Sequence, residues 1–337
     1  MHSAAICLVS TVQRYIEACV LAIGNINAEI YIRPVVIVEQ ADEALLRGDM
    51  KFREPMSKHS SWQAGGPADR FYVPANLEDL SRFLSLCAPD EALIWLGLGS
   101  NLLVRDGGIK GTVIAVSGVL DEMFISDTNV ISVGAGVSCN KFARYAVHAG
   151  FTGVEFLAGI PGTIGGALAM NAGAFAGETW NYVKCADTIN RNGTIHTRVR
   201  KDFTVGYRSV NLPENEWFIA AEFQLPHDTG NTARQRLREL LARRSASQPT
   251  GQFSCGSVFR NPAGDYAGRL IDICGLKGLR VGKACVSEKH ANFIINEGGA
   301  SAGEIEQLIK LVQQRVKKQT GVNLEPEVRI IGESLTP

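Results

Sequence analysis

At 337 residues the chain has room for two or three domains with buried cores. Lys+Arg and Asp+Glu balance at 34 each, so no global field draws nucleic acid or an anionic membrane, and neither is expected as a partner. The eight cysteines form no CxxC pair and no Cys/His spacing for zinc; no metal is expected, and they read as reduced core residues of a cytoplasmic protein.

Residues 1–50 open on an apolar stretch without a basic start, interrupted by Arg14 and Glu17, which argues against a signal peptide. Val9, Val12, Ile16 and Val20 have helical spacing, and IYIRPVVIVE has strand character. An accessory element and an extension both fit. The organised protein begins at HSSWQAGGPADRFYVPA, residues 59–75. Gly65-Gly66-Pro67 is a turn signal before a strand at Arg70–Val73 and a helix at Leu77–Ala88. A strand at Ala92–Leu96 then runs into Gly97-Leu98-Gly99-Ser100-Asn101. Strand then Gly-x-Gly points to a dinucleotide loop, but Leu102 replaces the third glycine and no evident helix follows. The loop can still offer successive amides and a hydroxyl to a pyrophosphate; a plain hairpin turn is the alternative.

Strand NVISVGAG leads into a helix over Val137–Ala149 with Ser138 near its start, and again lacks the third glycine. Phe156–Gly177 follows, 22 residues without a charge and with six glycines. About 20 uncharged residues suffice to span a bilayer. The alternative is a backbone-lined nucleotide cradle, since glycine lets a ligand approach the main chain. Pro161, Asn171 and the glycines make a poor helix, and no basic cluster flanks the segment, which favours the cradle.

Residues 182–200 and 216–226 read as strands, the first pair turning at Asn192-Gly193. Between them, Tyr207-Arg208 is either an exposed loop dipeptide or a guanidinium placed to bind a carboxylate. The helix at 231–246 is strongly basic with an apolar seam at Leu237, Leu240 and Leu241; a solvated face is its default reading, with Arg243 and Arg244 as phosphate-facing candidates. Ser257, in Cys255-Gly256-Ser257, stands outside any Gly-x-Ser-x-Gly and reads as a loop serine. A short helix follows at Ala267–Cys274, ended by Gly275, then a strand near Phe293–Ile295. Ser301 and Glu304 form a capping box opening a helix that ends at Gly321, before a last strand carrying Glu327.

No one motif decides the function, but their order does. SSWQAGGPAD, LGLGSNLL with DGGIKGTVI, GIPGTIGGALAMNAGA, GYRSV, CGSVFRNP, AGRLID-GLKGLRVG-VSEKHANFIIN and LEPEVRIIG follow one another over roughly residues 53–333. In this the chain resembles the MurB family, the UDP-N-acetylenolpyruvoylglucosamine reductases, and in lacking an extra tyrosine-bearing loop after GYRSV it resembles the family's shorter second type.

The resemblance implies an α+β fold: a two-lobed FAD-binding domain of the PCMH type (lobes 53–118 and 119–227), a C-terminal α+β substrate-binding domain (228–321), and a last strand (322–337) returning to the flavin domain. Residues 1–52 stay an extension of unknown role. It implies noncovalent FAD, NADPH as co-substrate, and a monomer that reduces UDP-N-acetylglucosamine enolpyruvate to UDP-N-acetylmuramate for peptidoglycan. By the same resemblance, cofactor contacts fall on Gly97, Gly99, Ser100 and Asn101, and on Gly159, Ile160, Pro161, Gly162, Thr163, Gly165, Gly166, Asn171, Ala172 and Gly173. Arg208 and Glu327 would stabilise the developing anion and Ser257 would donate the proton. Tyr207, Asn261, Lys277 and His290 fall near substrate-contacting positions, His290 standing where some relatives carry a polar amide.

Overall fold

The computed structural model describes residues 46–126 and 129–335. The helix and strand expected within residues 1–45, with Cys7 and Cys19, lie outside the described residues. The first part of the chain holds β1 (Asp49–Pro55), β2 (Pro67–Val73), α1 (Leu77–Leu86), β3 (Leu93–Leu96), β4 (Leu102–Val104) and β5 (Ile109–Ala115). Four of the strands form a sheet in the order β1-β2-β5-β3, with β5 parallel to both of its neighbours and β1 antiparallel to β2. Strand β1 therefore begins inside the stretch expected to be an extension. Helix α1 starts where the Asn76 side chain accepts from the Asp79 amide, and it buries Leu80, Phe83 and Leu84.

The second part contains β6 (Met123–Ile125), β7 (Val130–Gly134), α2 (Cys139–His148), α3 (Ile164–Met170), the small hairpin β8 (Gly173–Ala174) and β9 (Gly177–Glu178), then β10 (Val183–Asn190), β11 (Ile195–Val199), β12 (Thr204–Gly206), β13 (Ser209–Asn211) and β14 (Glu216–Gln224). A five-stranded antiparallel sheet runs β11-β10-β14-β7-β6. Alternation along β14 turns Ala221 and Phe223, and a register shift between Ala220 and Phe218 turns Phe218, into a core shared with Phe142, Leu157, Leu168 and Trp180. Helix α4 (Ala233–Ser247) also packs on this core through Ala233 and Leu237. The basic helix thus buries its apolar residues on the second part, while its Ser245 carbonyl accepts from Lys289 Nζ at 2.6 Å.

The uncharged stretch is not one helix. A 3-10 turn at Glu155–Gly159 precedes Pro161; α3 is seven residues long and stops at Asn171, which adopts the left-handed conformation at φ +41°. Among the described residues, no helix is long and apolar enough to cross a membrane.

The last part has α5 (Ala267–Ile273), β15 (Arg280–Val281), β16 (Ala284–Val286), β17 (Ile294–Asn296), α6 (Ala302–Thr320) and β18 (Arg329–Ile331). The capping box at Ser301 and Glu304 forms, and Gly321 ends α6 at φ +77°. Apolar side chains of α6 (Ile305, Leu308, Ile309, Val312, Val316) meet Leu270, Ile294 and the fully buried Trp62, whose indole N–H donates to the Ile294 carbonyl at 2.8 Å. Strand β18 returns to lie parallel to β4, pairing Arg329 with Leu102. That return carries Glu327 from the far end of the sequence to the loop after β3. Two side chains fix α6 against the first part. Asp106 accepts from the Ala302 and Gly303 amides, and Arg105 holds Glu306 through two hydrogen bonds.

Candidate functional site

A cleft of about 790 Å³ is lined by the loop after β3 (97–102), the glycine-rich stretch, the Tyr207-Arg208 turn, the 255–257 segment and Glu327. The loop after β3 bends at Gly99, φ +61°, where a Cβ would lie 1.8 Å from the His59 carbonyl oxygen; only glycine fits. Gly97 abuts Thr163, and Gly162 faces the Ser100 hydroxyl, so the two loops meet along one wall.

That wall is anchored from behind. Thr163 caps α3, and the amides of Ile164 and Gly165 donate to the Val137 and Ala135 carbonyls at 2.8 and 2.9 Å. Those two amides hold the loop in place instead of facing a ligand. A Cβ on Gly165 would lie 3.0 Å from the Ala135 Cβ, whereas one on Gly166 would meet only the Thr163 hydroxyl, at 3.8 Å. The Gly166 face of α3 therefore opens on the cleft. A wall this free of side chains, with Leu96, Ile160, Ala169 and Met170 around it, fits a flat aromatic ring system carried on a diphosphate tail. A flavin dinucleotide has that shape.

The opposite side carries charge. The turn between β12 and β13 puts Arg208 at φ +53°, a conformation a non-glycine residue keeps only when its surroundings hold it. Its Nη2 donates to the Gly173 carbonyl at 2.6 Å and its Nε lies 3.1 Å from Glu327 Oε1. The guanidinium also covers the Tyr207 ring, 5.1 Å from its centroid. Burial pushes the Glu327 carboxyl above the ordinary glutamate range, while Arg208 pulls it back down. Ser257 is placed beside this pair by the backbone: the Glu327 amide donates to the Val258 carbonyl at 2.7 Å. The Asn101 side chain donates to the Glu327 carbonyl at 3.2 Å, tying the loop after β3 to the same point.

Most of the expected residues border this cleft: Gly97, Gly99, Ser100, Asn101, Gly159 to Thr163, Gly165, Gly166, Ala172, Gly173, Tyr207, Arg208, Ser257, Asn261 and Glu327. Three do not. Asn171 is buried, and its side chain is spent on the Trp180 amide, the Glu178 carboxylate and the Gly206 carbonyl. It shapes the turn after α3 and holds the Arg208 hairpin. Lys277 is held by Asp272 at 2.8 Å, and His290 packs edge-on against Phe293, behind the lining.

Other lining residues carried little sequence signal. Asn292 brackets the Ser257 segment, accepting from the Phe259 amide and donating to its carbonyl. Arg329 stands two residues along from Glu327, a spacing that puts side chains on one face of an extended strand. Of the two arginines considered in the basic helix, Arg244 lines the cleft, its Nε donating to Gln248 at 3.1 Å, and Arg243 lies over the Phe175 ring. Cys255 also lines it, but burial pushes its thiol up to about 11, which leaves it no nucleophile. Among the described residues, no cluster suited to a metal ion is present.

Two families of known sequence match the chain: an FAD binding domain over residues 68–198, and the C-terminal domain of UDP-N-acetylenolpyruvoylglucosamine reductase over 248–331. The chain is 55% identical over 288 residues to the UDP-N-acetylenolpyruvoylglucosamine reductase of Methylococcus capsulatus, covering 86% of this chain and 95% of that one. It is 53% identical over 289 residues to that of Legionella pneumophila, covering 86% and 94%. The crystal structure of the reductase (MurB) from Thermus caldophilus superposes with a TM-score of 0.70 at 32% identity, covering 85% of this chain and 99% of that one. The glycine wall, the FAD-binding domain and the reductase C-terminal domain belong to one molecule, and the chain is a member of the UDP-N-acetylenolpyruvoylglucosamine reductase family, an FAD-dependent oxidoreductase.

Proposed function

We propose that the chain reduces UDP-N-acetylglucosamine enolpyruvate to UDP-N-acetylmuramate with NADPH, on noncovalently held FAD, in the supply of peptidoglycan precursor. One observation carries the reading: the Arg208–Glu327 pair and Ser257 border the same cleft as the glycine wall. FAD would be held along Gly97 to Asn101 and Gly159 to Gly166 and would supply the two-electron chemistry, hydride transfer through N5, that links NADPH to C3 of the enolpyruvyl group. The chain's own residues are left with the negative charge that develops at C2 and its carboxylate, and with the proton that C2 must gain.

Arg208 holds the substrate carboxylate and spreads that charge. Glu327 assists in its protonated form, because an ionised carboxylate beside an enolate would repel it, and its burial keeps the proton on to higher pH than in a free glutamate. Ser257 gives its hydroxyl proton to C2. Serine is a weak acid, so the step needs a strongly basic intermediate and a well-placed hydroxyl. Tyr207 and Asn261 border the substrate, and Arg244 offers positive charge to phosphates. Lys277 and His290 stand outside this contact set.

The packing of α4 on the second core supports a boundary between flavin and substrate domains near Ser247. Among the described residues no histidine lines the cleft, which supports noncovalent FAD over a histidyl-tethered one. A monomer working in the cytoplasm, where both nucleotide reactants are made, completes the reading.

The purified chain is expected to be yellow and to release its flavin on acid precipitation. Under anaerobic conditions it should oxidise NADPH beyond one equivalent per flavin only when the enolpyruvyl sugar nucleotide is added, giving a product heavier by two hydrogens. A colourless protein, or NADPH oxidation indifferent to the sugar nucleotide, would refute it.

A further inference from the structure

Arg260 joins the two halves of the charged site without bordering the cleft itself. Its backbone is fixed beside the segment that carries Glu327: its amide donates to the Glu325 carbonyl at 2.9 Å, and Phe259 bridges to Pro326. Its side chain crosses to the hairpin, where Nη2 donates to the Arg208 carbonyl at 3.4 Å. That carbonyl belongs to the residue held at φ +53°. The Arg260 Nε is buried with no hydrogen-bond partner. A guanidinium that forgoes a hydrogen bond to stay in place needs a compensating role.

The charged groups acting on Glu327 are Arg208 on the hairpin and Arg260 on the segment after Ser257. Arg329, two residues further along the chain, borders the same cleft; Asn101 and Ser257, the other neighbours, are neutral. Arg208 reaches the carboxylate directly, and Arg260 braces the backbone of Arg208 while adding a second positive charge.

We infer that Arg260 is a positioning residue: it holds the Arg208 turn in its left-handed conformation and so fixes where the Arg208 guanidinium meets Glu327. The inference deepens the proposed reaction and rests on it for its kinetic arm. Arg260 touches neither substrate nor flavin in this account. Its effect must therefore appear in the protonation and alignment of other groups.

The test compares Arg260→Gln and Arg260→Lys with wild type, as holoenzymes. In anaerobic half-reactions, Arg260→Gln is expected to slow flavin reoxidation by the enolpyruvyl sugar roughly tenfold while leaving reduction by NADPH within about twofold. Losing one cation raises the Glu327 pKa, so the pH midpoint of reoxidation should move up by roughly half a pH unit. Arg260→Lys should return the midpoint, which depends on charge, without restoring the full rate, which depends on the guanidinium's reach. Infrared difference titration against Glu327→Gln reads the same carboxyl with no turnover, and its protonated band should persist to higher pH in Arg260→Gln.

An unchanged rate ratio together with an unchanged titration would overturn the inference. So would equal losses in both half-reactions with falling FAD content, which would make Arg260 merely structural. If wild-type flavin were not reoxidised by the sugar nucleotide, the proposed reaction would fail, and the infrared titration would still decide the role of Arg260.

Discussion

Arg208 Nε and Glu327 Oε1 lie 3.1 Å apart, each side chain less than one-fifth exposed, although one residue comes from the two-stranded β12–β13 hairpin and the other from the segment before the last strand. The parallel pairing of β18 with β4 and the strained turn at Arg208 both serve this meeting. Folding places the pair before any substrate arrives, so little reorganisation remains for the reaction.

Replacing Glu327 with Gln should separate chemistry from stability. Flavin reoxidation is expected to fall by roughly 100-fold or more. Thermal stability at neutral pH should hold or rise, because the folded pKa is raised: above the free-glutamate pKa, ionising this carboxyl in its buried site costs folding free energy. For the same reason wild-type reoxidation should decline as pH rises through the raised Glu327 pKa. Stopped-flow across a pH series, with melting curves alongside, checks both.

Ser257→Ala should change the ratio of the two half-reactions. Reoxidation by the sugar nucleotide is expected to drop by a factor of roughly 100 or more relative to reduction by NADPH. Equal losses in both would remove Ser257 as the proton donor.

The glycine wall gives a matched pair of variants. Gly166→Val projects into the cleft and is expected to lower FAD occupancy of a folded protein. Gly165→Val presses on Ala135 and should lower the melting temperature first, with a cost of about 1–3 kcal/mol for overpacking. Flavin absorbance per protein and calorimetry distinguish them. Full FAD occupancy in Gly166→Val would mean the wall does not face the cofactor.

Glu306 reports on the attachment of α6. Its hydrogen bonds with Arg105, against the opposing effect of burial, hold its carboxyl down to about 2. A depressed carboxyl adds stability that is fully present above the unfolded pKa and fades as pH falls from there through the folded value. Glu306→Gln should therefore cost about 2 kcal/mol at pH 7. The difference from wild type should shrink on acidification from about pH 4 towards pH 2. Urea denaturation at several pH values measures it.

The elements with local signals were the legible ones. Ser301 and Glu304 announce α6 through a capping box, Asn192-Gly193 announces the β10–β11 turn, and Pro161 with Asn171 argues correctly against a membrane helix. Leu102 and Cys139, standing where a third glycine would be, argue against a Rossmann unit, and the sheets observed are not of that kind.

Less legible were residues whose position depends on contacts distant in sequence. Nothing local to Asn171 distinguishes a cleft contact from a buried side chain that braces the hairpin. Lys277 lies in a suggestive stretch, yet Asp272, five residues earlier, claims its ammonium. Helix α4 looked like a solvated basic helix because its five arginines outnumber its three leucines, and only packing shows Leu237 buried and Arg244 on the cleft. Arg208 became interpretable only once β18 had brought Glu327 to it.

The central claim is that flavin on this chain passes hydride from NADPH to the enolpyruvyl sugar nucleotide. Anaerobic stopped-flow of the holoenzyme, following the visible absorbance of the oxidised flavin, tests it most directly. NADPH should bleach the flavin fully, and the enolpyruvyl sugar nucleotide, added after NADP⁺ is removed, should restore the absorbance in stoichiometric amount. Bleaching by NADPH with no recovery on adding the sugar nucleotide would contradict the account.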